Sequence, residues 1–125
     1  MPIIIAIDVS RGVVFSTFVG EIHEAEFRNE IEKLSTQPGF NPAFSHIIDF
    51  SQVTAANVST EFVKSLARGP SLFHPNARQV IVAPQTHIFG LARMAQILRG
   101  QQSVQVEVVQ SLQKAYELLG LEHGG

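Results

Sequence analysis

The run from Ser45 to Ala83 constrains the fold more than any other part of this sequence. It opens with His46-Ile47-Ile48-Asp49-Phe50-Ser51 and closes with Arg78-Gln79-Val80-Ile81-Val82-Ala83. Side chains alternate along a strand, so adjacent apolar residues such as Ile47 and Ile48 face opposite sides. Both faces then need cover, which crossover helices give to parallel sheets. Between the two strands, Ser59 is a suitable N-cap for a helix carrying Phe62, Val63, Leu66 and Ala67. Asp49 and Ser51 fall where the first of these strands is expected to end. That is the loop face on which α/β proteins place ligand or regulatory sites.

The flanking sequence extends the same pattern. Ile3 to Asp8 and Val13 to Val19 read as strands, and the turn Val9-Ser10-Arg11-Gly12 between them is short enough to force an antiparallel hairpin. Gly20 is expected to end the second strand. Residues 22–35 carry Phe27, Ile31 and Leu34 at helical spacing, with Glu24, Glu30 and Glu32 assigned to a solvated face. The third strand is expected over Ser45–Phe50 and the fourth over Val80–Ala83. Thr86 is the expected cap of an unusually apolar helix from His87 to about Leu98, one that is buried or meets a partner. Val104, Val106 and Val108 indicate a half-exposed edge strand, and Leu112 to Leu119 a last helix. The order is ββαβαβαβα. It predicts an α/β domain over residues 1–125, with a mixed five-stranded sheet and four main helices.

Composition narrows the function classes. A chain of 125 residues buries enough surface to fold as one domain without staples. It contains no cysteine, which removes disulfides, thiol nucleophiles and zinc ribbons, and fits a reducing, cytoplasmic setting. The apolar start, Ile3-Ile4-Ile5-Ala6-Ile7, is too short for a signal peptide and meets Asp8 at once. No run approaches the ~20 apolar residues of a membrane span. A net charge of −2 gives no argument for nucleic acid. The basic residues do gather between 61 and 100, on and after the two middle helices, where they would favour an anion.

Three segments resemble a known superfamily. Asp49-Phe50-Ser51, Val82-Ala83-Pro84 and Phe89-Gly90-Leu91-Ala92-Arg93-Met94 are similar to a pattern in small bacterial proteins of unknown function with the SpoIIAA-like fold. That fold includes the STAS domains, which antagonise anti-sigma factors, and more distantly the CRAL-TRIO lipid-binding domains. The resemblance implies a SpoIIAA-like domain and a regulatory or protein-interaction role. One departure bears on mechanism. Antagonist STAS domains carry a phosphorylatable serine in an Asp-Ser-Ser-Gly-like motif, whereas this chain has Ala55-Ala56-Asn57-Val58-Ser59-Thr60. Ser59 already has a structural task as N-cap.

Individual residues carry weaker signals. The five histidines, His23, His46, His74, His87 and His123, are scattered without metal-ligand spacing, so neither a metal nor a cofactor is expected. Asp49 serves either as a polar ligand or as a cap of its own loop. Arg93 either lays its stem on apolar surface, or pairs with Asp49 or holds an anionic ligand. No nucleophile elbow, phosphate loop or dinucleotide fingerprint occurs, and no catalytic residue is assigned.

The leading expectation is a non-enzymatic interaction module. Another protein, or a second copy as a homodimer, would dock on a face formed by Asp49, Ser51, Ser59, Phe62, Phe89, Arg93 and Met94. The alternative is a carrier of a small apolar or lipid-like ligand, with Phe62, Phe73, Phe89, Met94 and Leu98 lining a pocket. A weaker alternative is an enzyme using Asp49 or a histidine.

Overall fold

A computed structural model describes residues 3–102 and 104–121. His123 lies outside the described residues. Five strands, β1 (Ile3–Asp8), β2 (Val13–His23), β3 (Ser45–Asn57), β4 (Gln79–Val82) and β5 (Val106–Val109), form one sheet. Their spatial order is the sequence order, β1-β2-β3-β4-β5. β1 and β2 are antiparallel and the other three pairings are parallel. Four helices, α1 (Glu24–Thr36), α2 (Thr60–Arg68), α3 (Thr86–Gly100) and α4 (Leu112–Leu119), complete the α/β fold.

Alternation along the parallel strands sorts the core into two faces. Val13, Ile47, Val80, Val82 and Val109 point to one side, where Leu112, Ala115 and Tyr116 of α4 cover them. The other side holds Phe18, Phe50 and Ile81, with Phe27 of α1 and Ile88 and Ala92 of α3 packed against them. Rings organise this second face. Phe18 lies 4.9 Å from Phe50 and 5.1 Å from Phe27, and Phe27 lies 5.8 Å from Phe62 of α2. A third cluster of Val14, Leu34, Phe73 and Ala77 closes the end of the sheet where β3 and β4 begin.

Several boundaries differ from those read in sequence. β2 does not stop at Gly20. That glycine adopts φ +77° at a register shift against β3, and the strand runs on to bury Ile22. The extra residue at this shift lies in β3, between Val53 and Ala55, so the pairing is offset without ending β2. α1 therefore begins at Glu24 rather than at residue 22, with the Glu26 carboxylate accepting a hydrogen bond from the His23 amide at 2.6 Å. β3 continues past Ser51 to Asn57, so Asp49 and Ser51 sit inside the strand and not at its end. α3 is capped from Gln85 rather than Thr86 and includes Gly100. β5 starts at Val106, two residues later than expected.

The extension of β3 has an identifiable support. β4 ends at Val82, paired with Asp49, so the later residues of β3 have no β4 partner. Buried backbone carbonyls need a donor. The Gln85 amide supplies it, with Nε2 donating to both Phe50 O and Val53 O at 2.8 Å.

Candidate functional site

A cavity of about 570 Å³ lies between the ring-bearing face of the sheet and helices α1, α2 and α3. Its walls are mostly apolar: Ile48, Phe50 and Ile81 from the sheet, Phe27 and Leu34 from α1, Val63 and Leu66 from α2, and Leu91 and Ala95 from α3. Ile31, Ser65, Pro70 and Ser71 also line it and are exposed, so the cavity opens to solvent beside α1, α2 and the loop that follows α2. The first turns of α1 and α2 are tied together. Ser59 donates to Glu24 Oε2 at 3.3 Å, Phe27 meets Phe62, and the Arg28 guanidinium lies 5.3 Å from the Phe62 ring centre. The cavity opens further along the two helices.

Polar groups gather at one end, where β3 and β4 begin. Ser16 on β2, His46 on β3 and Gln79 on β4 are all buried, and each lies on the cavity-side parity of its strand. Ser16 Oγ is 2.8 Å from His46 Nε2, and Gln79 Nε2 is 3.4 Å from His46 Nδ1. Phe73 stacks on the imidazole, with centroids 4.4 Å apart and planes 14° off parallel. From α1, Glu30 reaches down so that its Oε2 is 3.5 Å from His46 Nε2. That oxygen is buried and makes no hydrogen bond. His46, Gln79 and Glu30 line the cavity, whereas Ser16 stands behind the imidazole.

The arrangement differs from a catalytic relay. In a Ser–His–acid triad the hydroxyl and the carboxylate address different ring nitrogens. Here Ser16 and Glu30 both approach Nε2, and an amide occupies Nδ1. Both ring nitrogens are thus engaged by neutral polar side chains, and the carboxylate is left without a hydrogen-bond donor.

Arg99 also lines the cavity, and two of its N–H groups serve backbone carbonyls. Nη2 donates to Leu66 O at 3.0 Å and Nη1 to Gly69 O at 3.3 Å, which finishes α2. Burial lowers the Arg99 pKa from its ordinary value. Arg78 likewise donates to Leu118 O at 2.8 Å. Two of the five basic residues between 61 and 100 thus serve backbone carbonyls.

The residues singled out in the sequence lie elsewhere. Asp49 is buried, but parity puts it on the α4 face with Ile47, and its Oδ1 accepts from the Ser51 amide at 2.9 Å. Ser51 is exposed. Ser59 caps α2, accepting from the Phe62 amide at 3.0 Å. Arg93 is exposed on α3, and Phe89 and Met94 are half-buried there. None of Asp49, Ser51, Ser59, Phe62, Phe89, Arg93 and Met94 lines the cavity. Of the five side chains expected to line a carrier's pocket, Phe73 does, whereas Phe62, Phe89, Met94 and Leu98 do not.

Glu30 is a correction. It is 8 % exposed, not part of a solvated face. The signal was present, because Phe27, Glu30, Ile31 and Leu34 share one helical stripe. His46 and Gln79 were legible in the same way, each two residues from an inward-facing isoleucine, Ile48 or Ile81, on its own strand. Among the described residues, no group of three His, Asp or Glu side chains is placed to hold a metal ion. Nor is any helix there long and apolar enough to cross a membrane.

Comparison with known proteins agrees with this architecture. A solved structure of an uncharacterized protein of the DUF3478 family with a SpoIIAA-like fold, from Shewanella loihica PV-4, superposes with a TM-score of 0.57. The match covers 94% of this chain and 93% of that one at 16% identity. The chain therefore has the SpoIIAA-like fold anticipated from its three motifs. No protein-family model matches the sequence, and no curated protein does.

Proposed function

We propose that this protein is a non-enzymatic binding module that holds a small, mostly apolar molecule in the cavity beneath α1, α2 and α3. The supporting observation is the cavity itself. At about 570 Å³, walled by apolar side chains and with its polar groups gathered at one end, it has the size and lining typical of ligand pockets. Catalysis has less support, because the imidazole at its floor is held by Ser16 and Gln79 in a non-relay geometry. Native mass spectrometry of gently purified protein, followed by thermal melts with decyl-chain probes, tests this reading. A retained small molecule, or a probe that raises the melting temperature, is the expected result. At a hundredfold excess over Kd the gain is about 2.7 kcal/mol. Ala95→Phe, which places a ring in the cavity, should abolish it. A protein that emerges empty and melts identically with every probe overturns the reading.

A regulatory or protein-docking role on α2 and α3 remains the second reading. Ile97, exposed on α3, supports it. Sedimentation equilibrium tests the self-association form, since a chain that stays monomeric at high concentration removes the homodimer.

A further inference from the structure

The polar end of the cavity is unbalanced in charge and in hydrogen bonding. Glu30 is more than nine-tenths buried, lines the cavity, and keeps Oε2 without a hydrogen bond. His46 Nε2, 3.5 Å away, is already engaged at the shorter distance of 2.8 Å by Ser16 Oγ. Arg99, which also lines the cavity, donates through Nη1 to Gly69 O and through Nη2 to Leu66 O, and no bond joins it to Glu30 among the described residues. A buried carboxylate oxygen without a donor is costly to keep. A second polar group entering the cavity would remove that cost if it donates, and would raise it if it accepts.

We infer that Glu30, with His46 and Gln79 beside it, selects a ligand whose apolar body ends in a hydrogen-bond donor, a primary ammonium above all. This rests on the binding role proposed for the cavity and adds the chemistry of the ligand's head. The ammonium takes the place facing Oε2, while the chain lies among Ile48, Phe50, Ile81, Val63 and Leu91. An anionic head of the same length meets the Glu30 carboxylate. A charge-assisted hydrogen bond is worth roughly twice a neutral one, so the order of preference is amine, alcohol, carboxylate.

The experiment is isothermal titration calorimetry near neutral pH with decylamine, decanol and decanoate, each below its micelle concentration. Decylamine should bind about tenfold or more tightly than decanoate, with decanol between them. Glu30→Gln, which keeps the shape of the side chain, should erase most of that preference and change decanol binding by less than about threefold. Equal or tighter binding of decanoate, or a preference that survives Glu30→Gln, overturns the assignment of the head while leaving the cavity as a binding site. The wild-type comparison needs no variant to fold. If none of the three probes binds the wild-type chain, the cavity reading fails as well, and the assignment fails with it.

Discussion

Ile47 and Ile48 are neighbours on one strand, yet they face two differently built halves of the protein. Ile47 is fully buried among Val13, Val80, Val82 and Ala115. Ile48 is half-buried and forms part of a cavity wall. On the α4 face the strands present mostly valines and Ile47, and Leu112, Ala115 and Tyr116 close over them. The opposite face is built from rings, which meet in one cluster and leave space beside it. A short helix of eight residues is enough to seal the first face. Three longer helices do not seal the second.

The largest expected effect breaks this contrast directly. Ile47→Ala should cost about 4 kcal/mol, since it opens a void in a filled region. Ile48→Ala should cost only about 1–2 kcal/mol, because one side of that residue already lacks partner atoms. Urea unfolding of the two variants measures the difference, and equal losses would erase the distinction between the faces. Next in size is Gln85→Ala. It strands two carbonyls of β3 and should cost about 2 kcal/mol, with faster amide exchange in the second half of that strand. Glu30→Met should act in the opposite direction. By removing an unpartnered buried carboxylate it should stabilise the ligand-free protein by about 1 kcal/mol while losing the amine preference. A destabilised Glu30→Met protein would mean that the carboxylate is a structural member of the floor.

The smallest effect lies on neither face. In the turn between β1 and β2, the Arg11 guanidinium, the Ser10 hydroxyl and the Arg11 amide hold the Asp8 pKa down to about 2, from an ordinary 3.8. A folded-state pKa below the unfolded one contributes stability that is complete above about pH 4. It is lost as pH falls from there through about 2. Asp8→Asn should therefore flatten the acid limb of a pH–stability curve while leaving its neutral part nearly unchanged. A difference between the two proteins that does not depend on pH would place the effect in packing instead.

Much of the fold was legible because it depends on local pattern. Ile47-Ile48 and Val80-Ile81-Val82 required cover on both sides, Ser59 marked a helix start, and the turn at Val9–Gly12 forced the hairpin. The lengths of β2 and β3 were not legible. Gly20 reads as a stop in sequence but lies inside β2 opposite a bulge in β3, and the donor to the Phe50 and Val53 carbonyls comes from Gln85, more than thirty residues away. The polar end of the cavity was half legible. His46 and Gln79 stood at buried parity, and Glu30 stood in an apolar stripe. What joins them is strand register and the path of α1 across the sheet, which no single segment encodes. The usual rule favours the ends of parallel strands. His46 and Gln79 lie at their beginnings.

The Gln85 clamp has a consequence for how this fold tolerates change in length. A thirteen-residue strand normally demands a neighbour nearly as long. Here one side-chain amide, fixed at the head of α3, stands in for the missing part of a four-residue strand. The span of β3 is thereby uncoupled from the span of β4. Residues can be gained or lost where β4 meets α3 without shortening the wall that β3 gives the cavity, provided that a donor still reaches Phe50 and Val53.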